Sequence, residues 1–210
     1  MKLKRERAAS YRELLFSGFT RIRHNLPSIR GNEAASRDHH ARARVIADRM
    51  HRLAAASVQD FRDFDEADFW TVKEGIDATD GYLQAFCDRG GFETNVARRV
   101  AGPVKNGTPA MSPSRMAAYR KIIQAAYGAI RGLLETDDAT HVDSFRRRAA
   151  VEIADRMHNL AHFSAVDFAG FEEDRFWSEG PLDAPGIYPF IPDFNRSTFE
   201  RDLGQPDQRD

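Results

Sequence analysis

The chain has a single cysteine, Cys87, among 210 residues. No internal disulfide can form, so the fold must rest on packing, and the usage suits a reducing compartment. No stretch approaches the ~20 consecutive apolar residues that a membrane-spanning helix needs. The basic start, Met1 to Ser10, leads into no apolar segment with a cleavage site. A cytoplasmic location with no membrane partner is therefore the expectation. Lysine is scarce, five of the 31 basic residues, and the Arg- and Ala-rich usage points to a GC-rich bacterial genome. Sustained period-two alternation is absent, which argues against amphipathic strands and leaves an all-α protein. Gly-x-Ser-x-Gly, Cys-x-x-Cys, a phosphate-cradling glycine loop and a dinucleotide fingerprint are all missing. The commonest hydrolase, redox and nucleotide-binding classes lose their support with them.

What is present is a repeat. Ile46-Ala-Asp-Arg-Met-His51 returns letter for letter as Ile153-Ala-Asp-Arg-Met-His158. From Ile46 to Trp70 and from Ile153 to Trp177 the segments align without a gap, with 15 of 25 positions identical. The repeat extends upstream. Tyr11, Leu15, Phe19 and Ile22 share one helical stripe over residues 9–26, and Tyr119, Ile123, Tyr127 and Ile130 repeat that spacing. Arg12 and Arg23 are matched by Arg120 and Arg131.

The pattern predicts two copies of a helical hairpin, each followed by an aromatic lid. The hexapeptides fall on the second helices, 36–58 and 143–165, with Asp143 or Ser144 as a cap for the latter. The lids carry Asp60, Phe61, Phe64, Glu66, Phe69 and Trp70 in one copy, and Asp167, Phe168, Phe171, Glu173, Phe176 and Trp177 in the other. A capping box is expected at Asp63 to Glu66. Beyond the lids the copies are expected to diverge. Copy one continues as short helices 76–88 and 92–100, separated by Gly90-Gly91; copy two ends in an irregular Pro-rich segment. This gives a first unit at 1–101, a linker at 102–114, a second unit at 115–180, and a Pro-rich, acidic tail at 181–210. A lone helix pair cannot bury its own face. The units are expected to pack as one pseudo-twofold helical bundle in which the two hexapeptides face each other.

Several residue sets could carry chemistry. Asp155, His158 and His162 share one helical face, with the two histidines a turn apart as in helical metal sites. Asp48 or His51 across the axis would supply a further ligand. Ala154 to Asn159 resembles the Ala-Asp-Arg-Leu-His-Asn phrase of HD-type guanosine tetraphosphate hydrolases, which would make Asp155 a metal ligand. The chain contains no His-Asp dipeptide, which that family also needs. Glu152-Ile-Ala-Asp155 resembles half of the site of MazG-type nucleotide pyrophosphatases, but the partner Glu-x-x-Glu is missing from residues 115–135. Arg156 and His162, five residues between, resemble the motif of HEPN-type ribonucleases; Arg156 would hold phosphate and His162 would perform acid–base cleavage.

The structural alternative is that Asp48, Arg49, His51, Asp155, Arg156 and His158 make paired contacts between helices, each Arg reaching the opposite copy's Asp. The leading reading is a binding or regulatory protein, such as an adaptor, regulator or immunity-type inhibitor. Those six residues would be its binding set, a protein its main partner, and no cofactor is required. Nucleic acid is a further candidate partner, because residues 1–30 carry eight basic and two acidic side chains. The acidic stretch 172–210 could engage a basic partner, and the Pro-rich aromatic stretch 185–194 could be an exposed docking segment or a strap over the core. The rival readings are a metal-dependent phosphohydrolase using Asp155, His158 and His162, and a ribonuclease using Arg156 and His162. Elemental analysis of the untagged protein separates them: about one equivalent of divalent metal, lost in His162→Ala, is the outcome the hydrolase reading requires. Toxicity on expression, relieved by Arg156→Ala, is what the ribonuclease reading requires.

Overall fold

A computed structural model describes residues 3–26, 33–71, 88–101, 111–135, 144–178 and 195–204. Among these residues every regular element is an α-helix. The helices are α1 (Arg5–Asn25), α2 (Glu33–Val58), α3 (Glu66–Trp70), α4 (Arg89–Ala101), α5 (Pro113–Leu134), α6 (Ser144–Ala165), α7 (Glu173–Ser178) and α8 (Arg196–Gly204). None is long and apolar enough to cross a membrane.

Four long helices close a ring. α1 packs on α2 and α6, and α5 packs on the same two. Neighbours run antiparallel: Arg5 and Arg23 of α1 meet Asp167, just past α6, and Asp155 within it. The sequence stripes supply the core. Tyr11, Leu15, Phe19 and Ile22 are at most 1% exposed, as are Tyr119, Ile123, Tyr127 and Ile130, with Ile46, Met50, Leu53, Ile153, Met157 and Leu160 facing them. Burying each such large apolar side chain stabilises by roughly 1.5–3 kcal/mol. α1 and α5 stand diagonally and touch at the centre, where the Phe19 and Tyr127 rings stack at 3.9 Å. The Tyr127 hydroxyl donates to the Leu15 carbonyl.

Local chemistry sets the boundaries. Pro113 occupies the first turn of α5, and the Ser112 hydroxyl caps it by accepting from the Arg115 N–H. The cap of α3 is Asp65, which accepts from the Asp68 N–H at 3.0 Å, and not the expected Asp63. Asp63 instead sits at φ 60° in the preceding turn. Gly90 and Gly91 do not separate two helices. Asp88 accepts from both of their N–H groups, and α4 runs through them. The expected helix over 76–88 falls almost wholly outside the described residues, as do Asp143 and the Pro-rich stretch 185–194. The expected linker 102–114 is cut short by α5, and Arg196–Gly204 of the expected tail is a helix.

That last helix corrects the expected divergence. α4 and α8 carry the same phrase, Asp88-Arg-x-x-Phe92-Glu93 and Asn195-Arg-x-x-Phe199-Glu200, and make the same contacts. The Phe92 ring lies 4.4 Å from Tyr11, and Phe199 lies 4.5 Å from Tyr119. Arg7 forks onto Glu93, and Arg115 onto Glu200. The lids complete each set: Trp70 Nε1 donates to the Tyr11 hydroxyl, which donates to Glu66. Trp177 Nε1 donates to Tyr119, itself hydrogen-bonded to Glu173. Burial and the anionic partner push both tyrosine hydroxyls well above their ordinary pKa, so they stay protonated.

Two glycines test the packing. A Cβ at Gly18 would lie 2.7 Å from both Met50 Cγ and the fixed Tyr127 hydroxyl. Gly18→Ala should therefore cost about 1–3 kcal/mol in chemical denaturation. Gly132, with nothing within 4 Å of a new Cβ, should gain about 0.5 kcal/mol as Ala through helix propensity alone.

Candidate functional site

The repeated hexapeptides do not face each other. α2 and α6 are diagonal across the ring, and each hexapeptide faces the first helix of the other unit. Asp48 pairs with Arg131 of α5, and Asp155 pairs with Arg23 of α1. The arginines that reach the opposite unit's aspartate are thus Arg131 and Arg23, and not Arg49 and Arg156. Both pairs are half-exposed, which limits each to about 1 kcal/mol. Arg49 and Arg156 stay within their own units. Their guanidiniums lie 4.9 Å from the Phe69 and Phe176 ring centres and donate to the carbonyls of the same residues. The cation and the ring quadrupole attract, so each arginine clamps its lid onto its helix.

This arrangement bears on the three chemical constellations. Among the described residues no three His, Cys, Asp or Glu side chains come together as a metal-holding group. The Asp155 carboxylate is taken by Arg23, while His158 and His162 pack on the Phe16 ring at 4.3 and 5.1 Å. Asp48 and His51 lie on the α2–α5 face, away from this set, so they do not complete it. Arg156 and His162 are also not brought together: Arg156 covers Phe176 of α7, and His162 contacts Phe16 of α1.

Two features emerge instead. The first is an axial charge cluster that sequence spacing does not reveal. Arg12 and Arg120 have side chains only 4% and 5% exposed, side by side at one end of the ring. Arg12 Nη2 donates to Asp60 at 2.6 Å, and its Nη1 lies 3.5 Å from Asp167. Arg120 reaches Asp167 at 3.3 Å and Asp60 at 3.5 Å. Ser57 and Ser164 each accept from the Nε of their own unit's arginine at 3.3 Å. Burial, and then the charge of Arg12, push the Arg120 guanidinium down to about 10, still protonated at neutral pH. The aspartates get there by a strained route. Asp60, Phe61, Asp167 and Phe168 all have φ between 51° and 58°, a conformation that costs a non-glycine residue about 1–3 kcal/mol. Seating Phe61 and Phe168 in the core, at most 1% exposed, offsets it.

The second feature is an open groove of about 900 Å³ between α1 and α6, lined by Phe16, Thr20, Arg21, Arg23, His24, Asp155 and His158 among others. It mixes a half-buried aromatic stack with hydroxyls and cations. The matched α2–α5 face is built differently: Gln124, Ala125, Gly128, Ala129 and Gly132 stand where α1 has Phe16, Ser17, Thr20, Arg21 and His24. His51 packs against bare Gly128, 3.4 Å from where its Cβ would be.

Comparisons with protein-family models, with curated proteins and with solved structures each return no match. The site must be read from its own chemistry.

His51 and His158 are held below the ordinary imidazole pKa of about 6.5, first by burial, then by Arg131 and Arg23 respectively. The folded chain therefore resists protonation at both. Their stability contribution is whole above pH 6.5 and is lost as pH falls through the lowered folded-state values. A His51→Gln/His158→Gln variant should lose less stability between pH 7 and pH 5 than the parent in paired urea titrations. Parallel profiles would remove the histidines as the cause.

Proposed function

We propose that the chain is a helical binding or regulatory protein, of the adaptor, regulator or immunity-type inhibitor kind, acting in the cytoplasm. We further infer that its two units arose by internal duplication and pack about a pseudo-twofold axis. The matched contact sets around Tyr11 and Tyr119, and the Arg12–Arg120 cluster on the axis between them, support that origin.

One observation carries the functional reading. Where the two units agree, their polar residues are used to hold the ring and lids together. Where they differ, α1 presents Phe16, Ser17, Thr20, Arg21 and His24 on an open groove. The matched positions of α5 are Gln124, Ala125, Gly128, Ala129 and Gly132, so packing in the ring does not by itself require the larger set on α1. Surfaces that combine exposed aromatic area with arginine are those that bind. The hydrolase and ribonuclease readings receive no comparable support, since neither set of residues converges.

The test is affinity capture from a cell lysate with the full chain, scoring bound protein and nucleic acid, against a Phe16→Glu/His24→Glu variant. The expected result is a species retained by the parent and lost by the variant. A purified protein that turns over nucleotides or RNA, with loss in Asp155→Ala or Arg156→Ala, would replace binding with catalysis.

A further inference from the structure

A second cavity, of about 590 Å³, opens at the other end of α1, where the axial charge cluster reaches the surface. We propose that it binds a phosphate dianion, free or as a small phosphomonoester, between the exposed Arg5 and Arg62 and the buried Arg12 and Arg120. The site shares no residue with the α1–α6 groove, so the two stand or fall separately.

Charge points to an anion. Four guanidiniums line the cavity, those of Arg5, Arg12, Arg62 and Arg120, against two carboxylates, Asp60 and Asp167. The lining therefore carries a formal excess of two positive charges. Both carboxylates are already shared. Asp167 meets Arg5 at 2.9 Å, Arg120 at 3.3 Å and Arg12 at 3.5 Å, while Asp60 meets Arg12 at 2.6 Å and Arg120 at 3.5 Å. The Arg62 guanidinium has no ion pair or hydrogen bond among the described residues. The shortfall of negative charge is felt at Arg120. Burial first, and then the charge of Arg12, hold its guanidinium down to about 10, although both aspartates act in the other direction. A cleft of one sign with apolar walls, here Ala8 and Met116, concentrates its field on an entering anion.

The donors are ready for it. A guanidinium presents five N–H groups in a planar fork suited to phosphate oxygens. Arg12 and Arg120 are fixed from behind, each donating from Nε to Ser57 or Ser164 at 3.3 Å. The Phe61 and Phe168 rings lie 5.4 and 5.8 Å from the same guanidiniums. Little side-chain freedom is left for an anion to remove. The exposed pair belongs to one unit only: Arg5 stands where the other unit has Pro113, and Arg62 where it has Ala169. Arg12 and Asp60 recur as Arg120 and Asp167 and balance one another, so Arg5 and Arg62 are the addition that tips the charge. A carboxylate or a phosphodiester would bring one negative charge, whereas a phosphomonoester brings about 1.5–2 at neutral pH. The dianion matches the excess. The cavity volume lies in the range of small-ligand pockets, which leaves space for the group that a monoester carries.

The experiment is calorimetric titration of the full chain with inorganic phosphate and with phenyl phosphate, at constant ionic strength and slightly alkaline pH. Low titrant concentrations keep the general stabilising effect of excluded anions out of the signal. Saturable binding of at least one probe, at one site per chain, is the expected result. Arg62→Gln should weaken it about tenfold through loss of a charged hydrogen bond, and Arg5→Gln/Arg62→Gln should weaken it further. Both residues are exposed, and circular dichroism of the variants checks that the fold is retained. Arg98→Gln, at an exposed position of α4 outside the cavity, should leave binding unchanged. Equal affinity for the two probes makes the phosphate group the whole determinant; tighter binding of phenyl phosphate assigns the rest of the cavity to the ester body. No saturable binding of either probe by the parent, or equal binding by the parent and Arg5→Gln/Arg62→Gln, overturns the proposal.

Discussion

Two guanidiniums buried side by side would repel each other and forfeit their hydration, and the ring of helices depends on how that problem is solved. Arg12 and Arg120 are tolerated because Asp60 and Asp167 are both delivered to the same end of the bundle, where each carboxylate approaches both cations. Leaving either cation without its partner would cost several kcal/mol, far more than a surface pair is worth. The solution constrains the backbone. Each α2–α3 and α6–α7 connection must turn left-handed at an Asp-Phe step, and it holds there because the phenylalanine fills the core. The Asp and the Phe of that dipeptide therefore have separate duties, one electrostatic and one apolar, joined by a single strained turn.

Around this centre the two units repeat a second device. A tyrosine on the first helix collects a lid glutamate, a lid tryptophan and a phenylalanine from a further helix, while an arginine one turn earlier forks onto that helix's glutamate. Two short helices that could not hold themselves are thereby tied to the bundle. The identical hexapeptides serve the same end: Met50 and Met157 fill the core, Arg49 and Arg156 clamp the lids, and Asp48 and Asp155 pair across units. Identity between the units thus reports shared assembly chemistry. The groove between α1 and α6 lies where the two halves part company in sequence.

Much of this was legible beforehand, and the failures are instructive. The stripes beginning at Tyr11 and Tyr119 gave the core because apolar side chains at helical spacing have one face to hide. The hexapeptide's partner was misread because an Asp and an Arg in adjacent positions of one helix point in different directions: Asp48 went to Arg131, while Arg49 folded back over Phe69. The likeness of α4 and α8 was available in Asp-Arg-x-x-Phe-Glu and Asn-Arg-x-x-Phe-Glu, but those phrases lie beyond the stretches that align without a gap. Asp155, His158 and His162 do share a face, yet a shared face is not a site until neighbouring helices leave its atoms unoccupied.

The sequence by itself determined the helical class and the apolar stripes that fill the core, because periodicity is a property of the chain alone. It also placed Arg12 beside Arg120 and Arg23 beside Arg131 in the alignment. Only the tertiary structure decided which charges meet. Helix order around the ring put α1 against α6 and α2 against α5, turned the Asp-Phe steps inward, and left Phe16 with two histidines on an open face. Those outcomes depend on distances between segments a hundred residues apart, which no local pattern encodes.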